Sequence, residues 1–223
     1  MTTTSAAIDY ALRRTLVVVI LINLVGFAIE FGFGSIIGSV SLFADSVDFL
    51  EDAGLNLLVL FALGWSIAAR RRLGIMLAGL ILLPAAAALW VAMQRVFSVF
   101  GLEGIFAIPG LASDATQPPA AGLLTLVGVV ALILNAGAAF ALARVRRRGG
   151  GSLMRAAYLS ARNDVLSNIA IIVAGLMTAV TVSIWPDLVV GLFIIAINAG
   201  ASREVYLAAC NEKDHDEKTD AAS

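Results

Sequence analysis

The stretch Ser41-Leu42-Phe43-Ala44-Asp45-Ser46-Val47-Asp48-Phe49-Leu50-Glu51-Asp52 sets four carboxylates at the head of an apolar run long enough to span a bilayer. On a helix turning about 100° per residue, Asp45, Asp48, Asp52 and Asn56 fall within a stripe of roughly 80°, and Glu51 lies to one side. A charge at the bilayer centre costs about 2.5–3.5 kcal/mol even on a mild insertion scale. Acids gathered on one face of a spanning helix therefore point to a site.

The rest of the chain agrees with a membrane setting. Of 223 residues, 60% are apolar and only 14% charged, with a mean hydropathy of +0.95. A soluble domain is about half apolar and a quarter charged. The net charge of −1 hides arginine clusters and an acidic tail, with no basic tract suited to nucleic acid. Membrane lipid is the first expected partner. The single cysteine, Cys210, excludes an intrachain disulfide framework and is expected to be a reduced bystander.

Six apolar segments can be drawn, roughly Leu16 to Ile37, Leu42 to Ala68, Leu73 to Phe97, Leu123 to Leu142, Met154 to Val180 and Ile184 to Val205. Each is near the 20 or so residues that a helix needs to cross a bilayer, and helices satisfy their own backbone there. The first segment lacks a clear cleavage site and reads as a retained span rather than a removed signal peptide. Arg13 and Arg14 precede span 1, Arg70, Arg71 and Arg72 follow span 2, Arg144, Arg146, Arg147 and Arg148 follow span 4, and Arg203, Lys213 and Lys218 end the chain. The connections around Gly38, from Gly101 to Gly122 and around Ser183 carry no Lys or Arg. Alternating spans then put every basic cluster on one side, the positive-inside pattern. The expectation is an all-α integral membrane protein with six transmembrane helices and both termini cytoplasmic. Residues 1–206 are expected to form the membrane domain, and 207–223 a short, polar, disordered cytoplasmic tail. The Gly101 to Gly122 loop reads as a solvated connector.

The candidate ionisable residues inside the spans are Glu30, the span 2 acids, and Arg162 with Asp164 in span 5. Ser160 and Asp164 are four apart, as are Asp48 and Asp52, so each pair projects two oxygens from one helix face. At 1.5 Å per residue, Asp48 and Asp52 lie roughly 9 and 15 Å below the outer boundary, and Asp164 and Ser160 roughly 12 and 18 Å below it. Antiparallel neighbours would bring Asp48 beside Asp164 and Asp52 beside Ser160, within about a turn. Three carboxylates so close repel unless something positive lies between them. A divalent cation meets that need, and protons replace it when it leaves, since ligands must be deprotonated to bind metal. Arg162 points about 160° away from Asp164 and is the weaker candidate for a counter-charge.

At these residues the sequence resembles the cation diffusion facilitator family of divalent metal/proton antiporters. The likeness runs from Asn23 through Glu30, Gly34, Gly38-Ser39-Val40-Ser41-Leu42 and Ala44-Asp45 to Asp48 and Asp52. It resumes at Asn135 and through Met154-Arg155-Ala156-Ala157-Tyr158-Leu159 to Asp164. The resemblance implies a four-ligand metal site at Asp48, Asp52, Ser160 and Asp164. It also implies a homodimer in the inner (cytoplasmic) membrane and export of Zn²⁺, or of Cd²⁺, Co²⁺, Fe²⁺ or Mn²⁺, against protons, with no permanently bound cofactor. Ser160 departs from the His or Asp common at that position, leaving three carboxylates and no imidazole, a set that also suits harder ions such as Mn²⁺. A short member without the usual cytoplasmic C-terminal domain is expected.

Asp45, Glu30, Asn135 and Asn163 are expected around the site or along the proton path, with Asn163 a substitute oxygen for Ser160. Asp45 has a second reading as a cap at the start of its helix. His215 reads as a solvated tail residue. Gly26, Gly32, Gly34 and Gly38 read as places of close helix packing. Two other functions compete with this reading. An intramembrane aspartyl hydrolase lacks a Gly-x-Gly-Asp element and a carboxylate isolated from the others, so no enzyme is expected. A non-transporting membrane metal sensor or scaffold of the same fold is the alternative.

Overall fold

The computed structural model describes residues 3–62, 67–102, 117–146 and 152–198. They form six helices: α1 (Thr3–Ile37), α2 (Val40–Ala62), α3 (Ile67–Val99), α4 (Ala121–Arg146), α5 (Ser152–Thr181) and α6 (Trp185–Asn198). The described residues contain no strand. The order and number match the six predicted spans. Tyr10–Ile37, Ala121–Arg144 and Asp164–Thr181 are long and apolar enough to cross a membrane. α2, as long as many spanning helices, is not among them, because its first half carries the four acids.

Outward-facing side chains are apolar: Ile36, Met76, Phe140 and Val180 are 74%, 72%, 70% and 81% exposed. Such a surface is suited to lipid. Within the bundle, helices associate by packing and internal hydrogen bonds, since lipid is as apolar as leucine. Leu16 and Val19 of α1 pack on Ala138 and Leu142 of α4. Leu42 and Ala44 of α2 pack with Leu124 and Val127 of α4, Ile171 of α5 and Ile194 of α6. α5 lies chiefly on α4, α1 chiefly on α2, and α2 also meets α3, α5 and α6.

The α1–α2 connection is a turn without a loop. Gly38 takes φ of 65°, and the Ser39 N–H donates to the Gly34 carbonyl over 3.1 Å. This is a Schellman closure, in which a glycine accepts the left-handed conformation at no steric cost. The Ser39 hydroxyl then accepts from the Leu42 N–H at 3.2 Å and caps α2. Gly38 is thus a turn residue and not a packing one. Gly32 has open space beside it, whereas a Cβ on Gly26 would overlap the Phe49 ring and one on Gly34 would press on Leu42 and Phe43. Only Gly26 and Gly34 of the four serve close packing.

Two boundaries differ from the sequence reading. Arg70, Arg71 and Arg72 belong to the first turns of α3, and Arg144 and Arg146 to the end of α4. Arginine is a good helix former whose long stem lets the charge reach the interface from within a helix. The end of the Gly101 to Gly122 connector is not wholly solvated, for Pro119 is buried. Residues 103–116 of that connector, and the expected tail containing Cys210 and His215, lie outside the described residues.

Candidate metal site

α2 is the central helix, and residues 40 to 50 are all buried. The acidic stripe is interior: Asp45, Asp48, Asp52 and Asn56 are 0%, 7%, 3% and 1% exposed, while Glu51 is half-buried. Asp45 does not cap the helix. The cap is Ser39, and Asp45 sits in the second turn with neither oxygen in a hydrogen bond of standard geometry to any described residue.

Gly26 against Phe49 and Gly34 against Leu42 and Phe43 define the antiparallel register of α1 on α2. In that register Glu30 stands opposite Asp45, and Asn23 opposite Asp52. Glu30 and Asn23 are both fully buried, and neither side-chain polar atom of Asn23 has a hydrogen-bond partner among the described residues. Glu30 interacts with the Asp45 carboxyl and, electrostatically, with Asp48 and Asp164. Burying such groups is costly, and more so in a membrane.

Asp164 of α5 is 8% exposed. It interacts electrostatically with Asp52, Asp48, Asp45 and Glu51. α5 packs closely on α4, where Gly175 meets Thr125 and Gly128 meets Ile171 and Ile172. Asn56 Nδ2 donates to the Asp52 carbonyl and Asn168 Nδ2 to the Asp164 carbonyl, both over 2.7 Å. Each amide is pinned one turn beyond an acid, and each Oδ1 is buried without a partner among the described residues. Asn135 is buried on α4. Ser160, Arg162 and Asn163 fall within α5, but their side chains lie outside the described residues. Among the described residues, no three Asp, Glu, His or Cys side chains converge into a ready metal cage. What the interior does hold is carboxylate and amide oxygen on facing helices, donors suited to divalent cations.

Two further ionisable residues escaped the sequence reading. Asp187, in the first turn of α6, and Arg95, near the end of α3, are 1% and 3% exposed. Asp187 Oδ1 accepts from the Ser39 hydroxyl at 2.6 Å, the Ser41 hydroxyl at 2.6 Å and the Ser41 N–H at 3.2 Å. Its Oδ2 accepts from the Val40 N–H at 2.8 Å. Arg95 Nη2 donates to the Gly38 carbonyl at 2.7 Å, and Nη1 to the Gln117 carbonyl. The signal was present in the sequence: one basic and one acidic residue inside drawn spans, both near the side that the arginine clusters avoid.

The fold and its acid-lined interior define a class, the multi-pass helical membrane proteins that handle cations within the bilayer. Residues 16–208 match the family model described as the cation efflux transmembrane domain, and the chain belongs to that family of metal cation transporters, which are not enzymes. No curated protein matches the chain significantly.

Proposed function

We propose that this transporter exports a divalent transition metal, Zn²⁺ in the first place, from the cytoplasm in exchange for protons. Cd²⁺, Co²⁺, Fe²⁺ and Mn²⁺ are the other candidate cargoes. Asp48 and Asp52 of α2 and Asp164 of α5 ligate the ion, with Ser160 as fourth ligand. The observation that carries this reading is the burial of Asp48 and Asp52 on α2 and of Asp164 on α5, two helices packed against each other in the bundle. The metal neutralises the three carboxylates, and protons do so once it has left.

Asp45 and Glu30, facing each other across α1 and α2, carry protons to and from the site, and Asn135 and Asn163 support its shell. Asp45 is favoured for this role because it does not cap its helix. The orientation with both termini cytoplasmic is supported by Arg13, Arg14, Arg72 and Arg144, all exposed and all at the same end of alternating helices. The proposal includes a homodimer in the inner membrane, residues 1–206 as transport domain and 207–223 as tail. The test is flux into proteoliposomes across Zn²⁺, Cd²⁺, Co²⁺, Fe²⁺ and Mn²⁺ with and without a pH gradient. Zn²⁺ uptake driven by outward-directed protons is expected. Binding without proton-driven flux would favour the sensor or scaffold.

A further inference from the structure

We infer that Asp187 is a positioning residue of the transport site: from α6 it anchors the first turn of α2, fixing the height and rotation of the helix that carries Asp45, Asp48 and Asp52. The inference rests on the reading of Asp48 and Asp52 as metal ligands.

The first N–H groups of a helix have no partner within it. Those of α2 open deep inside the protein, where Ser39, Val40 and Ser41 are each 0% exposed, so the partners must come from the chain itself. Ser39 serves Leu42, and the Phe43 N–H reaches the Ser39 carbonyl at 3.3 Å. The N–H groups of Val40 and Ser41 remain, and Asp187 accepts both. Hydroxyls of Ser39 and Ser41 close on the same carboxylate. An aspartate is the apt group for this task, since it offers two oxygens and places negative charge at the positive end of the α2 dipole.

Neighbouring contacts hold the anchor in place. One turn beyond Asp187, a Cβ on Gly191 would fall 2.7 Å from the Val40 carbonyl carbon and 2.8 Å from the Ser41 nitrogen, so α6 lies directly on the α2 backbone. Leu188 packs with Val40 and with Ala92 of α3. Arg95 of α3 holds the Gly38 carbonyl and lies within electrostatic range of Asp187. Sliding α2 by one residue would move it about 1.5 Å and turn it about 100°. Either component breaks all four hydrogen bonds to Asp187 and turns the acids away from α5. The two residues that set the ligands' position are therefore on helices that supply no ligand.

Zn²⁺ uptake by proteoliposomes is measured as KM and maximal rate for Asp187→Asn, Ser39→Ala with Ser41→Ala, and the triple variant. Thermal midpoints in detergent are recorded alongside. Loss of the anchor is expected to raise KM roughly tenfold in Asp187→Asn, the size of effect that one lost hydrogen bond to a charged group supplies. The serine pair should raise KM in the same direction, and the triple variant should be no worse than Asp187→Asn, because both changes cut the same contacts. A purely structural role would lower the midpoint and the maximal rate while leaving KM unchanged, and that result overturns the inference. So do KM effects that multiply in the triple variant. Should Asp187→Asn fail to insert, the serine pair tests the same contact with the acid intact. Asp52→Ala separates the two levels: if it transports normally the site reading fails, whereas wild-type KM in Asp187→Asn beside an inactive Asp52→Ala overturns the anchor alone.

Discussion

At the scale of single residues, the buried polar groups of the bundle fall into two sets. Asp187, Ser39 and Arg95 are held by hydrogen bonds within the chain and position the start of α2. Glu30 of α1 faces Asp45 of α2, Asn23 has no hydrogen-bond partner among the described residues, and their placement along the acidic stripe suits groups that serve what passes through. Glu30→Gln removes a carboxylate facing Asp45 while preserving shape. It is expected to leave equilibrium Zn²⁺ binding nearly unchanged and to cut proton-driven uptake roughly 10–100-fold, the range for loss of a supporting group around a metal. Isothermal titration and vesicle flux on the same preparation check this; wild-type flux would remove Glu30 from the proton path. The sign of the pH effect follows from ligand chemistry. Carboxylates bind metal only when deprotonated, so acidifying the loading side should raise the apparent KM for Zn²⁺, and a KM indifferent to that pH would contradict direct competition.

At the scale of helices, contacts to glycine set how closely α2 is surrounded. Gly26 faces a side chain, the ring of Phe49, whereas Gly191 faces backbone of α2. A ring can swing aside, and a helix backbone cannot. Gly191→Ala is therefore expected to destabilise more than Gly26→Ala, by about 1–3 kcal/mol, while Gly32→Ala, with nothing within 4 Å, should be neutral or slightly stabilising. Thermal unfolding in detergent ranks the three, and an equal loss at Gly32 would contradict the packing described. These distinctions were illegible in the sequence, where Gly26, Gly32, Gly34 and Gly38 looked alike. A glycine at a turn, in open space or against a ring differs only in what lies across from it. The acids of α2 were legible as one interior stripe because the helical period alone puts Asp45, Asp48, Asp52 and Asn56 together. Asp187 was not, because its partners lie 146 to 148 residues away in the chain.

At the scale of the whole molecule, the six helices were legible because bilayer thickness and arginine placement constrain length and direction before any tertiary contact forms. Their close contacts were less so: that Gly175 of α5 meets Thr125 of α4 depends on tertiary packing that no periodicity reports. The proposed orientation makes a direct prediction. In a Cys210→Ser background, Ser183→Cys, between α5 and α6, should react with an impermeant thiol reagent added outside intact cells, and Arg72→Cys only after permeabilisation. The reverse pattern would invert the proposed direction of transport.

The central claim is that Asp52 of α2 and Asp164 of α5 together hold the transported ion. It is tested most directly by Zn²⁺ uptake into proteoliposomes under a pH gradient for wild type, Asp52→Ala and Asp164→Ala at matched protein content. Uptake by wild type with none above background in either variant is the predicted result; wild-type uptake in both variants would contradict it.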